Sequence, residues 1–311
     1  MQAKIMLLPA DSAGEKLCSY AEQLLTEIAV AFSHRIVIVR EKIGARSVQA
    51  YGAALTEETV EQCRACTGVI CGNANAEGLD ELCACLEMPL RVRSVYLPAA
   101  AGVIQPPFYV ARVLGQSAAL LNKAVKQALK LAREKEMPLT WVSPVGRSAN
   151  DFVSAVNVVK ENFPDVRTVR LDAPSAMSLI VEQPQNAGVV LVPAYVGSIF
   201  AAAGASLCPM PGFLREFAPG KMNGVHAPVQ PNVMPNADEA SPIGMAYAVA
   251  DLLRDTLHLE TEADCLECAI ENALTSGFVT RDMQRPGTNV NGEGMTGVIL
   301  RQIELAGSIL H

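Results

Sequence analysis

Short β-branched runs alternate with amphipathic stretches along almost the whole of this chain. Lys4–Leu8, Arg35–Arg40, Thr67–Cys71, Leu90–Leu97, Leu139–Val142, Arg167–Leu171 and Gly188–Pro193 read as strands. Gly14–Phe32, Ala118–Glu136, Asn150–Asn162, Ser175–Glu182, Ile243–His258 and Glu262–Thr275 carry apolar residues at helical spacing. Strands joined through helices run parallel, and a parallel sheet needs helices over both faces. The expected class is therefore α/β with a mostly parallel sheet. Cys208–Pro242 holds seven of the nineteen prolines and is expected to be an irregular connecting or functional loop.

The 311 residues are half hydrophobic and 18% charged, which provides for a large core and excludes a disordered or disulfide-scaffold protein. The chain has no run of eighteen apolar residues and no basic region before an apolar stretch at its start. Neither a membrane span nor secretion is expected, and the expected location is the cytoplasm. A net charge of −7 without a Lys/Arg cluster speaks against nucleic acid as a partner.

Nine cysteines in a reducing compartment are expected as thiols. Cys63/Cys66 and Cys265/Cys268 are CxxC pairs within helical patterns, and Cys83/Cys85 is a CxC. On a helix that spacing puts both thiols on one face, so core packing is the expected role rather than redox or metal chemistry. His34, His226, His258 and His311 share no spacing and are expected at the surface or in loops. The glycine-rich nucleotide motifs, HExxH and GxSxG do not occur.

Several segments together resemble the isocitrate/isopropylmalate dehydrogenase family, the β-decarboxylating dehydrogenases. Leu8-Pro9-Ala10-Asp11-Ser12-Ala13-Gly14-Glu15 is similar to the family's L-P-G-D-G-I-G-P, keeping Asp11 and Gly14. Ile43-Gly44 and Tyr51-Gly52-Ala53-Ala54-Leu55-Thr56-Glu57-Glu58-Thr59 match a loop that ends in a helix, with Thr56 in the N-cap position. The resemblance implies a two-domain fold, with residues 1–95 and 214–311 in the larger domain and 96–213 in the smaller. It also implies NAD and Mg²⁺ as cofactors.

The same resemblance locates candidate site residues and their replacements. Family members grip a malate-type substrate with three arginines. Arg91-Val92-Arg93 places one at Arg93, Val110-Ala111-Arg112 places another at Arg112, and Cys83 stands in the position of the remaining one. A guanidinium fork matches a carboxylate, so Arg93 and Arg112 imply a small carboxylate ligand. Asp172, in Leu171-Asp172-Ala173-Pro174, matches the first metal aspartate. Ser198 and Ala202 then occupy the places of the other two, and one acid supplies too little charge for a hard cation. Arg147 sits at the catalytic lysine position, where a side chain must release a proton and guanidinium does not.

After Arg112 the family's tyrosine and the arm that clasps a second subunit are missing, and Gly115-Gln116-Ser117 leads directly into a helix. Ala227-Pro228-Val229-Gln230-Pro231-Asn232 and Asp238-Glu239 replace the nucleotide loop's histidine and glycines. The resemblance leaves Asp11 and Asp282 as candidates for cofactor contact. The expected function is a degenerate dehydrogenase-like protein that binds a small carboxylate or a partner without metal-dependent oxidative decarboxylation. An altered NAD(P)-dependent oxidoreductase on a 2-hydroxy acid is the first alternative. A non-catalytic subunit of an active paralogue is the second. A homodimer is expected through Asn150–Asn162, by its stripe of Phe152, Val153, Val156 and Val159, and through Ser175–Glu182.

Overall fold

The computed structural model describes residues 1–102, 106–144, 149–221, 223–230 and 240–310. The chain begins with β1 (Gln2–Leu8), α1 (Ser12–Ala31), β2 (Arg35–Arg40), α2 (Ala45–Tyr51), α3 (Glu57–Arg64), β3 (Gly68–Cys71) and α4 (Leu79–Cys85). It continues through β4 (Leu90–Val95), β5 (Phe108–Val113), α5 (Ala118–Glu134), β6 (Leu139–Val142), α6 (Ala149–Lys160), β7 (Thr168–Leu171), α7 (Ala173–Glu182), β8 (Val189–Val192) and α8 (Ala194–Leu207). The last part holds β9 (Arg215–Pro219), β10 (Gly224–Pro228), α9 (Pro242–Asp251), α10 (Glu260–Thr275), β11 (Phe278–Val279), β12 (Thr288–Asn289) and α11 (Gly292–Leu310).

The chain divides into two compact units, one of Met1–Leu86, Pro98–Val103 and Met210–His311, the other of Glu87–Leu97 and Ile104–Pro209. The boundary differs from the one drawn on the sequence. β4 pairs antiparallel with β5, so it belongs with the smaller unit.

In the larger unit the strand order is β2-β1-β3-β10-β9, parallel except for β9. β9 and β10 fall within the proline-rich stretch that was expected to be irregular. Pro219 and Pro228 end the two strands, where a missing N–H costs the ladder least. α1 and α9 pack against this sheet, with α10 and α11 packed on them in turn. α9 is buried from Pro242 through Ala250, which fits a helix without a charge before Asp251.

In the smaller unit the order is β4-β5-β8-β6-β7, parallel except for β4. α6 packs on α5, with Phe152, Val156 and Val159 buried at 3%, 0% and 8% exposure. The stripe that was expected to need a partner is thus covered mainly within its own chain. Trp141 meets Phe152 there, with ring centroids 6.4 Å apart.

Two further expectations are corrected. Cys63 and Cys66 are buried, although Cys66 lies past the end of α3, whereas Cys265 is half-buried and Cys268 exposed, so that pair is not core. None of the nine cysteines is joined in a disulfide. His226 is 1% exposed on β10 and is a core residue rather than a surface one.

Candidate functional site

β1 is the topological switch of the larger unit, since β2 joins one side of it and β3 the other. Ligands of open α/β sheets bind beyond the carboxyl ends of strands at such a point. Asp11 follows β1 there and caps α1, its Oδ1 accepting from the Gly14 amide at 2.7 Å. Its Oδ2 accepts from Asn73 Nδ2, just after β3, at 2.9 Å. Ala74 N donates to Pro228 O at 2.9 Å, tying the end of β3 to the end of β10. α1 can approach so closely because a Cβ on Gly72 would lie 2.5 Å from Gly14 Cα. The positive end of α1 is therefore occupied by the chain's own carboxylate, which leaves it unsuited to a phosphate.

Asp282 lies in a single 3-10 turn and accepts from Thr280 Oγ1 at 2.6 Å. Burial pushes its carboxyl above the ordinary aspartate range. Of the segment expected to stand in place of a nucleotide loop, Gln230 is buried, while Pro231, Asn232, Asp238 and Glu239 lie outside the described residues.

In the smaller unit, register brings the arginines together. Arg91 pairs directly opposite Arg112 across β4 and β5, and Arg93 is two residues further along β4. Period-two alternation puts all three on one face of the sheet. They are buried, at 4%, 4% and 8% exposure for Arg91, Arg93 and Arg112. α8 lies across that face. Arg93 Nη1 donates to Ala201 O at 3.1 Å, and a Cβ on Gly197 would sit 3.2 Å from Arg112 Cβ. Gly197 thus lets the helix rest on the Arg112 stem. Arg91 was not singled out from the sequence, although the Arg-x-Arg spacing on a strand was the signal for it.

Asp172 caps α7, its Oδ1 accepting from Ser175 N at 2.8 Å. Hydrogen bonds from Ser175 hold its carboxyl below the ordinary range. Ser198 and Ala202 are one turn apart on the exposed face of α8. Among the described residues, no three His, Cys, Asp or Glu side chains are grouped to hold a metal ion. One aspartate engaged as a helix cap, with a serine and an alanine, does not fit Mg²⁺, which asks for charged oxygen donors. Arg147 lies outside the described residues. Among the described residues, no helix is long and apolar enough to cross a membrane.

Residues 112–299 match the sequence profile of the isocitrate/isopropylmalate dehydrogenase family. The chain belongs to that family. The 3-isopropylmalate dehydrogenase of Oceanobacillus iheyensis is 24% identical, with 97% of this chain and 96% of that protein covered. Their 354 aligned positions exceed the 311 residues here, so that relative carries segments this chain lacks. The 3-isopropylmalate dehydrogenase of Anaeromyxobacter dehalogenans is 23% identical over 97% of this chain and all of its own. Among solved structures, isocitrate dehydrogenase from Methylococcus capsulatus superposes with a TM-score of 0.84 at 16% identity, covering 97% of this chain and 99% of that one. An apo β-decarboxylating dehydrogenase from Thermococcus kodakarensis gives 0.78 at 19% identity, over 99% and 98%. These likenesses establish the α/β dehydrogenase fold for the chain.

Proposed function

We propose that this family member binds a small carboxylate on its smaller unit and does not carry out metal-dependent oxidative decarboxylation. The observation that carries this reading is the shared sheet face of Arg91, Arg93 and Arg112 beneath α8. Guanidinium groups in low-dielectric surroundings favour planar carboxylates, and the fork geometry rewards a second oxygen. The replacements at 198 and 202, with Asp172 used as a cap, support the absence of metal-assisted chemistry.

Calorimetry with malate and other small dicarboxylates tests the binding. We expect saturable heat that Arg112→Gln reduces at least tenfold, and no heat with any of them would sink the reading. In parallel, NAD⁺ or NADP⁺ with isopropylmalate, isocitrate or malate should yield no reduced nicotinamide with or without Mn²⁺. Turnover that disappears in Asp172→Ala would overturn the second half of the proposal.

A partner copy belongs to the same proposal. Over fourteen residues α8 has no charged side chain, yet Tyr195 and Ile199 are 52% and 61% exposed. Val181 of the neighbouring α7 is 51% exposed. An uncharged outer face of this kind favours a homodimer through α7 and α8, or pairing with a paralogue that presents the same helices.

A further inference from the structure

The turn of the β9–β10 hairpin borders a polar cavity of about 180 Å³, lined by Phe217, Lys221, Asn223, Asp255, Thr256 and His258 among others. β10 runs parallel to β3 with Val225 beside Val69, so this turn lies where the parallel strands of the larger unit begin. Asp11, Asn73 and Gln230 lie where those strands end, so the cavity is separate from the switch-point crevice.

Two departures from regular backbone shape it. Past α9 the helix widens into a π turn over Leu252–Thr256, and His258 follows with φ of 56°. π turns and left-handed non-glycine residues both recur at functional sites, because each costs energy that regular packing would avoid. The wall between them is fixed. His226 Nε2 lies 2.8 Å from Thr256 Oγ1, and a Cβ on Gly224 would fall 2.4 Å from that hydroxyl oxygen.

The lining has one cation, Lys221, and one anion, Asp255, both exposed at the cavity. A simple anion would be repelled by Asp255 and a simple cation by Lys221. Metal ions are disfavoured too, since no three-ligand group occurs among the described residues. We infer that this cavity binds a small zwitterion, a free α-amino acid by its size and charge. The ligand carboxylate would meet Lys221 Nζ and the Asn223 amide, and its ammonium would donate to Asp255. A carboxylate has about four lone-pair sites, so an existing contact of Asp255 leaves acceptors for it.

Thermal shift of the full-length protein with each standard L-amino acid tests this. At a concentration tenfold above Kd, one or more should raise Tm by about 2 °C. The N-acetyl and methyl ester derivatives of the same amino acid should give no shift. Lys221→Met and Asp255→Asn should each stay folded, by circular dichroism, and lose the response. No shift with any amino acid overturns the proposal, as does an equal shift with the singly charged derivatives. A response retained in both variants overturns the assignment to this cavity.

Discussion

His226 sits on β10, its ring stacked on Phe217 with centroids 6.3 Å apart, and only 1% of the residue is exposed. Burial pushes its pKa down from 6.5 to about 4, with Asp251 opposing the shift and Arg215 adding to it. Lys221, Asp255 and His258 line the cavity that His226 borders. In the unfolded chain the imidazole titrates near its usual value, so between about pH 6.5 and 4 only the unfolded state binds the proton. The neutral imidazole's contribution is therefore complete above about pH 6.5 and is lost as pH falls towards 4. At about 1.36 kcal/mol per pH unit, the loss amounts to about 3 kcal/mol.

The chain has four histidines, so ¹³C-labelled imidazole resonances resolve individually, and His226→Gln identifies the one in question. That resonance should hold still from neutral pH to about pH 5. Urea unfolding followed by far-UV circular dichroism should show the parent losing about 3 kcal/mol more than His226→Gln between about pH 7 and 4. Carboxylates that titrate in the same window cancel in the difference. A resonance titrating near pH 6.5, or parallel stability curves for parent and variant, would refute the burial argument.

Ile199→Glu should halve the mass seen by light scattering and leave Tm in place, because Ile199 is exposed on α8. Val156→Asp should instead unfold the smaller unit, at a cost above about 3 kcal/mol seen in urea titration, because Val156 is fully buried in its own chain. Asp172→Ala removes the α7 cap and should lower Tm slightly, by the same amount with and without Mn²⁺. Burial pushes the Cys63 thiol up to about 12, so alkylation followed by mass spectrometry should label exposed Cys85 and Cys268 well before Cys63.

Much of this fold is written in local pattern. Thr56 caps α3 as its spacing implied, accepting from Thr59 N at 3.1 Å, because a capping side chain and its amide are only three residues apart. β9 and β10 were hidden because proline normally argues against a strand, and here both prolines fall at strand ends where no ladder bond is lost. α8 escaped notice because a stretch of alanine, glycine and serine without charge has no contrast between faces to reveal a period. His226 could not be placed either. One histidine in Gly-Val-His-Ala-Pro reads as a turn, and only the pairing of β10 with both β3 and β9 buries it. The site divides in the same way. Arg93 and Arg112 were found by resemblance, but their sharing a face with Arg91 is a matter of antiparallel register between β4 and β5, which no single strand encodes.

Serine at 198 and alanine at 202 also bear on how α8 meets other surfaces. A helix on a protein surface ordinarily keeps charged side chains outward. With serine and alanine at these positions, all fourteen residues of α8 are uncharged, and Tyr195, Ser198, Ile199 and Ala202 form an outward face. Burying carboxylates in an interface without cations would cost several kcal/mol per ion, whereas burying this face costs only the ordering of a few side chains. Uncharged residues at 198 and 202 thus leave this face of α8 without an electrostatic obstacle to association. The double variant Ser198→Asp with Ala202→Asp tests this. Sedimentation should show weaker self-association in metal-free buffer, with little change in Tm because both positions are exposed. If added Mn²⁺ then restores the parent's mass, the new acids are neutralised by an ion they hold together with Asp172. A double variant whose mass equals the parent's in metal-free buffer would show that α8 is not the surface through which copies meet.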